Sequence, residues 1–277
     1  FIMLRSSKTF LEKTENKRPS IAVILGSGLT NFFDDKDISH SISYEKLTDF
    51  PQPTVQGHSG KLVLGSIHSR KVVCMYGRSH IYEGHDPKIL AAPIRVLKDI
   101  GCKLLIVTNA AGSLIQDMPA GSLMAISDHI NWSGYNPLIG KNDDDIGPRF
   151  PDMSDGYHQF YRNQLKKIAQ QKNQQLFEGV YCMYSGPNFE TPAEIKAAKV
   201  MGVSAVGMST VPEVLVANHC SLPVIAISVI TNLAAGMSKS KLTHQETLKN
   251  AALTEEKLIN LIKSFVRDVK FNDTSRN

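Results

Sequence analysis

Short runs of β-branched and other apolar residues, most of them bounded by glycine at one end, recur along this chain and alternate with segments of helical period. Residues 21–25, 62–66, 72–76, 104–108, 123–127, 180–184, 205–207 and 224–231 each read as a buried or half-buried strand. Between them, residues 87–100 carry Ile89, Leu90, Ile94, Leu97 and Ile100 near helical spacing, with Pro87 in the first turn and Gly101 as the stop. Residues 191–200 open as Thr-Pro-Ala-Glu, a capping box with proline at the first helical position. A shorter helix is expected over 212–219. A long amphipathic one is expected over 243–270, with Leu248, Ala252, Ile259, Ile262, Val266 and Val269 on its packing face. Strands that alternate with helices restrict the chain to an α/β fold: a single domain with a mixed, largely parallel central sheet flanked by helices.

Composition narrows the function classes. The 277 residues carry 31 Lys+Arg against 26 Asp+Glu, a net charge of +5 that suits a small anionic ligand. It is too diffuse for nucleic acid. No apolar run approaches the ~20 residues of a membrane span, and the charged first twenty residues lack the apolar stretch of a signal peptide. Cys74, Cys102, Cys182 and Cys220 form no Cys-x-x-Cys pair and read as reduced thiols. The expected setting is the cytoplasm, with Met3 the expected start and residues 1–20 an extension before a domain over 21–277.

Familiar cofactor motifs fail. Gly26-Ser27-Gly28-Leu29-Thr30-Asn31 follows the first strand but lacks the third glycine of a dinucleotide fingerprint, and Gly60-Lys61 has no following hydroxyl for a P-loop. His80 and His85, with Glu83 between them, are a poor metal set, and no metal or other cofactor is expected.

In an α/β fold, ligands gather beyond the carboxyl ends of strands. Four such exits here suit an oxyanion: Ser27 between two glycines; Gly57-His58-Ser59-Gly60; the stretch from Gly77 to His85; and Thr108-Asn109-Ala110-Ala111-Gly112. Arg78, His80 and Tyr82 alternate, so an extended chain points them one way, and an arginine fork matches phosphate geometry. Further on, Phe189-Glu190 precedes a helix and Thr231-Asn232 ends a strand. These could read a heterocycle, with Phe189 stacking and Glu190 and Asn232 on its edge. Equally, Glu190 could favour the following helix start and Asn232 could cap a turn. At this level both readings stand.

Taken together and in order, the 57–60, 77–85 and 108–112 segments, Gly186-Pro187-Asn188-Phe189-Glu190-Thr191-Pro192 and Gly207-Met208-Ser209-Thr210 closely resemble the trimeric purine nucleoside phosphorylases. The resemblance runs from about Ile21 to the C-terminal helix. It implies the nucleoside phosphorylase fold and the reversible phosphorolysis of purine ribo- and deoxyribonucleosides, a salvage reaction with inorganic phosphate as co-substrate. It also implies a phosphate site at Ser27, His58, Arg78, His80, the Ala110 amide and Ser209. Tyr82, Met208 and His244 are implied for the ribose, and Glu190, Asn232, Phe189, Val206 and Gly207 for the purine. Asn232, Glu190 and His80 are the implied catalytic groups. A homotrimer is implied, in which Phe150 covers the ribose of a neighbouring subunit. Asn232 implies inosine and guanosine over adenosine, with a xanthosine-accepting member of the family as the alternative. Two rivals lie outside this reading. A nucleoside hydrolase would bring a calcium-binding carboxylate cluster, but the acidic run Asp143–Asp145 sits in an irregular loop away from the strand exits. A non-catalytic binder would be expected to lack Arg78, Glu190 or Asn232, and all three are present. His129, His158 and His219 read as structural.

Overall fold

The computed structural model describes residues 3–55, 58–86, 88–238 and 242–272. Its frame is a mixed sheet of nine strands in the order β2-β3-β4-β1-β5-β8-β7-β6-β9. These are β1 (Ile21–Leu25), β2 (Ile38–Ser43), β3 (Lys61–Ile67), β4 (Arg70–Tyr76), β5 (Leu104–Ser113), β6 (Leu123–Asn131), β7 (Phe177–Met183), β8 (Val203–Gly207) and β9 (Val224–Leu233). A further pairing of β5 with β9 closes the last five strands into a barrel-like ring. β1 lies parallel to both β4 and β5, while β2–β3, β3–β4, β5–β8 and β6–β9 run antiparallel.

Among the described residues six α-helices cover the sheet: α1 (Arg5–Lys13), α2 (Ala92–Asp99), α3 (Gln159–Gln171), α4 (Pro192–Val200), α5 (Val211–His219) and α6 (His244–Asp268). β1 explains why central strands read as unbroken apolar runs, since both of its faces are covered. Ala22 and Ile24 join the core that includes Phe10 of α1, Leu97 of α2 and Val214 of α5. Ile21, Val23 and Leu25 join the opposite core with Leu165 of α3 and Phe265 of α6. A smaller third core joins Ile195 and Ala198 of α4 to Val203 and Val206.

Several sequence expectations need correction. The helix expected over 87–100 is a 3-10 turn at Ile89–Ala91 followed by α2. Pro93 takes an early helical position, and its ring would clash with the carbonyl four residues back if the α-helix began sooner. Pro87 lies outside the described residues, as does Gly57. On α6 the packing face passes through Ala251, which is buried, rather than Ala252, which is exposed. The segment 108–112 is not a loop beyond a strand but the second half of β5, held by β9 on one side and by β8 at Gly112 and Ser113. Residues 81–83 do not extend β4; Ile81–Glu83 forms a 3-10 turn. β2, α1 and α3 were not expected. α1 packs against the body: Phe10 is fully buried, Ser6 N donates to Asp49 Oδ2 at 2.8 Å and Ser7 Oγ to Asp99 Oδ2 at 2.8 Å. No described helix is long and apolar enough to cross a membrane.

Candidate active site

The carboxyl ends of β1, β4, β5 and β9 converge with β8 and the start of α6 on one open cleft of about 720 Å³. Two close approaches shape it. At Gly77, with φ of 100°, a Cβ would lie 2.6 Å from the Cβ of His58. At Gly112, within β5, a Cβ would lie 3.0 Å from the Asn232 amide nitrogen. At Gly77 only glycine permits both the turn and the contact, while at Gly112 a side chain would press on the Asn232 amide.

One end of the cleft can hold an oxyanion. Ser27, Arg78, His80, Ala110 and Ser209 line it. The Arg78 guanidinium is buried, so its charge needs partners. Nη2 donates to Thr108 O, Nη1 donates to Thr210 Oγ1 at 3.3 Å, and Glu213 Oε1 lies 3.3 Å from Nη1. Arg78 Nε is buried without a protein partner.

His58 does not line the cleft but stands behind Ser27. Arg78 N donates to His58 Nδ1 at 3.0 Å, and His58 Nε2 lies 3.0 Å from Ser27 Oγ. Burial, helped by the neighbouring charges of His80 and Arg78, pushes the His58 pKa down to about 3, so the ring is neutral at physiological pH. With Nδ1 accepting, the single proton sits on Nε2 and is donated to Ser27 Oγ. The Ser27 hydroxyl hydrogen is thereby left for the cleft. His80 is oriented similarly: its Nδ1 lies 2.9 Å from Glu83 Oε2, and its ring stacks on Tyr82 at 4.7 Å. Burial alone would raise the Glu83 carboxyl. Hydrogen bonds from His80 and Thr54 outweigh it and hold the pKa near 2.

The other end combines apolar walls with a carboxyl and an amide. Glu190, Asn232, Phe189, Val206, Gly207, Met208, Tyr82 and His244 all line it. Glu190 is 7% exposed, and burial raises its pKa to about 7. Asn232 Oδ1 accepts from Thr231 Oγ1 at 2.8 Å and its Nδ2 donates to Leu233 O at 3.0 Å, which fixes the amide plane. Phe150 stands apart from this cleft, 87% exposed. Trp132 is 44% exposed and packs against Tyr184. His129 bonds Tyr157, and His219 bonds Asn142. His85 faces Gln52 O, and no described group of three or more His, Cys, Asp or Glu is arranged to hold a metal ion.

Sequence reasoning named Asn109 and Thr210 only as members of motifs, with no role of their own, and did not name Glu213; these three touch one another or Arg78. It weighed Glu83 only as a metal ligand. It also missed Glu255 on α6, whose Oε1 accepts from Thr30 N and, at 2.8 Å, from Asn31 N, tying down the loop after Ser27. The one available signal was the Thr-x-x-Glu pattern at 210–213, which also opens α4 at 191–194 and α6 at 243–246. Long-range pairings such as Glu255 with residue 30 leave no trace in local sequence.

The family model for the phosphorylase superfamily matches residues 20–267. Purine nucleoside phosphorylase 1 of Bacillus subtilis is 43% identical over 263 residues, spanning 95% of this chain and 97% of that protein. Among solved structures, isoform 2 of Schistosoma mansoni purine nucleoside phosphorylase, in complex with cytosine and ribose-1-phosphate, superposes with a TM-score of 0.90. It is 36% identical and covers 96% of each chain. The S. mansoni enzyme in complex with inosine gives a TM-score of 0.88 at 36% identity, covering 97% of this chain and 96% of that one.

Proposed function

This chain belongs to the purine nucleoside phosphorylase family, and from that premise we propose that it catalyses the reversible phosphorolysis of purine ribo- and deoxyribonucleosides. Inosine and guanosine are the preferred substrates; the products are the free base and (deoxy)ribose 1-phosphate. One observation carries this reading: a single cleft joins an anion-holding end around Arg78 to a base-reading end around Glu190 and Asn232. No cofactor is required.

Phosphate is the nucleophile. Arg78, His80, the Ser27 and Ser209 hydroxyls and the Ala110 amide hold it below the sugar, with His58 acting through Ser27. An oxygen of phosphate bonds to the anomeric carbon with inversion as the glycosidic bond breaks, and that bond's electrons pass to the purine ring. Positive charge on the ribose is then stabilised by the anion on one face. Asn232 donating to the purine relieves charge that grows only as the bond breaks, so its effect falls on the transition state. Glu190 accepts from N1–H of a 6-oxopurine and fixes its orientation. Tyr82, Met208 and His244 contact the ribose, with His244 at its 5′-hydroxyl, while Phe189 stacks on the base beside Val206 and Gly207.

The working form is a homotrimer in the cytoplasm, in which the exposed Phe150 of one subunit closes the ribose site of the next. Solved Schistosoma relatives in complex with inosine and with guanosine support these two nucleosides as substrates. Initial rates on inosine, guanosine, xanthosine and adenosine at saturating phosphate test the base preference. Adenosine is expected at least ~100-fold below inosine, because it leaves buried polar groups unpaired. Equal rates on adenosine and inosine would overturn the base assignment.

A further inference from the structure

Three Thr-x-x-Glu segments open helices in this chain; those at α4 and α6 cap, with Glu246 N donating to Thr243 Oγ1 at 3.2 Å at α6, and the one at α5 does not. At α4, Thr191 and Glu194 form a reciprocal cap: Glu194 N donates to Thr191 Oγ1 at 3.2 Å, and Thr191 N donates to Glu194 Oε2 at 2.7 Å. At α5, Thr210-Val211-Pro212-Glu213 places the same residue types at the same helical positions, again with an early proline. Yet Thr210 makes no side-chain cap hydrogen bond. Its backbone sits at φ 75°, ψ −49°, and Val211 N donates across it to Ser209 O at 2.8 Å. That is a γ-turn of the rare positive-φ kind, and for a β-branched residue it is strained.

Forgoing a cap and holding a threonine in that conformation both cost stability, so the surrounding contacts must enforce them. Those contacts lead to Arg78. Thr210 Oγ1 accepts from Asn109 Nδ2 at 2.8 Å and from Arg78 Nη1 at 3.3 Å. Glu213 Oε1, from the first turn of α5, lies 3.3 Å from the same Nη1, and both side chains of this ion pair are nearly inaccessible. Every element of the cap has turned from the helix backbone towards one guanidinium. The adjacent Ser209 faces the cleft from the same turn.

We propose that Thr210 and Glu213 are positioning residues for phosphate: a helix cap diverted to clamp Arg78 from behind. The clamp takes both N–H groups of Nη1 and Thr108 O takes one of Nη2, which leaves Nε and the second N–H of Nη2 for the anion. Ser209 and Arg78 are fixed by one turn, so the two phosphate groups keep a constant separation. This inference rests on the reading of Arg78 as a phosphate ligand.

The test is the pair of KM values, for phosphate and for inosine, in Glu213→Ala, Glu213→Gln and Thr210→Ala, with Arg78→Ala as control. Glu213→Ala is expected to raise the phosphate KM about tenfold, as loss of a charge-assisted contact does, with the inosine KM within twofold. Glu213→Gln, which keeps an oxygen facing Nη1, should recover most of that loss, and Thr210→Ala should fall between them. A merely structural role would lower the yield of active protein without separating the two KM values. A phosphate KM within threefold of the unaltered protein in Glu213→Ala, or an inosine KM that rises in parallel, overturns the clamp. If Glu213→Ala does not fold, Glu213→Asp, which withdraws the carboxylate by one methylene, is judged by the same limits. An Arg78→Ala protein with unchanged phosphate KM would instead overturn the phosphate-site reading itself.

Discussion

Replacing Glu190 by glutamine isolates the charge proposed to read the purine. The side chain is 7% exposed, and burial raises its pKa from 4.5 to about 7. Only the ionised form offers N1–H of a 6-oxopurine a charged acceptor. One pH unit below the pKa roughly a tenth of the carboxyl is ionised, so kcat/KM for inosine at pH 6 should lie about tenfold below its plateau above pH 8. Glu190→Gln keeps the shape and removes the charge. Loss of a charged hydrogen bond, ~1.5–3 kcal/mol, predicts a fall in kcat/KM of about 10- to 150-fold at pH 8. Inorganic phosphate changes its own charge in the same range, so the variant's remaining pH profile supplies that contribution alone. Stability runs the other way. A raised carboxyl pKa means the folded protein holds more protons than the unfolded chain between pH 4.5 and about 7. Glu190 therefore lowers stability progressively as pH rises through that window, by at most ~3 kcal/mol, and Glu190→Gln should melt later than the unaltered protein at pH 8. Inosine kinetics from pH 5.5 to 8.5, paired with thermal melts, check both. Identical profiles in the two proteins would refute the reasoning.

Asn232→Asp should lower inosine turnover and raise adenosine turnover, moving their kcat/KM ratio by more than about tenfold, because the new carboxylate accepts from a 6-amino group and repels a 6-oxo group. Competition assays with the two nucleosides read that ratio directly. Phe10→Ala removes a fully buried ring that joins α1 to the main core. It should cost ~3–5 kcal/mol, a drop of roughly 6–10 °C in Tm, with the KM values unchanged.

The sheet was legible because its central strands are buried on both faces and so carry unbroken apolar runs. The helices α4, α5 and α6 were legible from caps and period. What escaped had little local signature. β2 is an edge strand with a largely polar exposed face, and α1 carries only two large apolar anchors, Phe10 and Leu11. α3 did carry a helical stripe at Tyr161, Leu165 and Ile168, and it went unread beside the irregular segment before it. Pro93 shortened α2 in a way the period of Ile94 and Leu97 did not reveal. In the cleft, side chains at motif positions came together, but their hydrogen-bond order did not show in sequence. His58 looked like a direct ligand; the backbone N–H of Arg78 makes it a relay to Ser27. The 210–213 segment has the residue pattern of a helix cap, and only the fold brings Arg78 and Asn109 within reach of it.

Inosine cleavage with and without inorganic phosphate, with the sugar product identified, tests the central claim most directly. The account predicts ribose 1-phosphate and hypoxanthine in equal amounts, formed only when phosphate is present. Free ribose released at an undiminished rate without phosphate would contradict it.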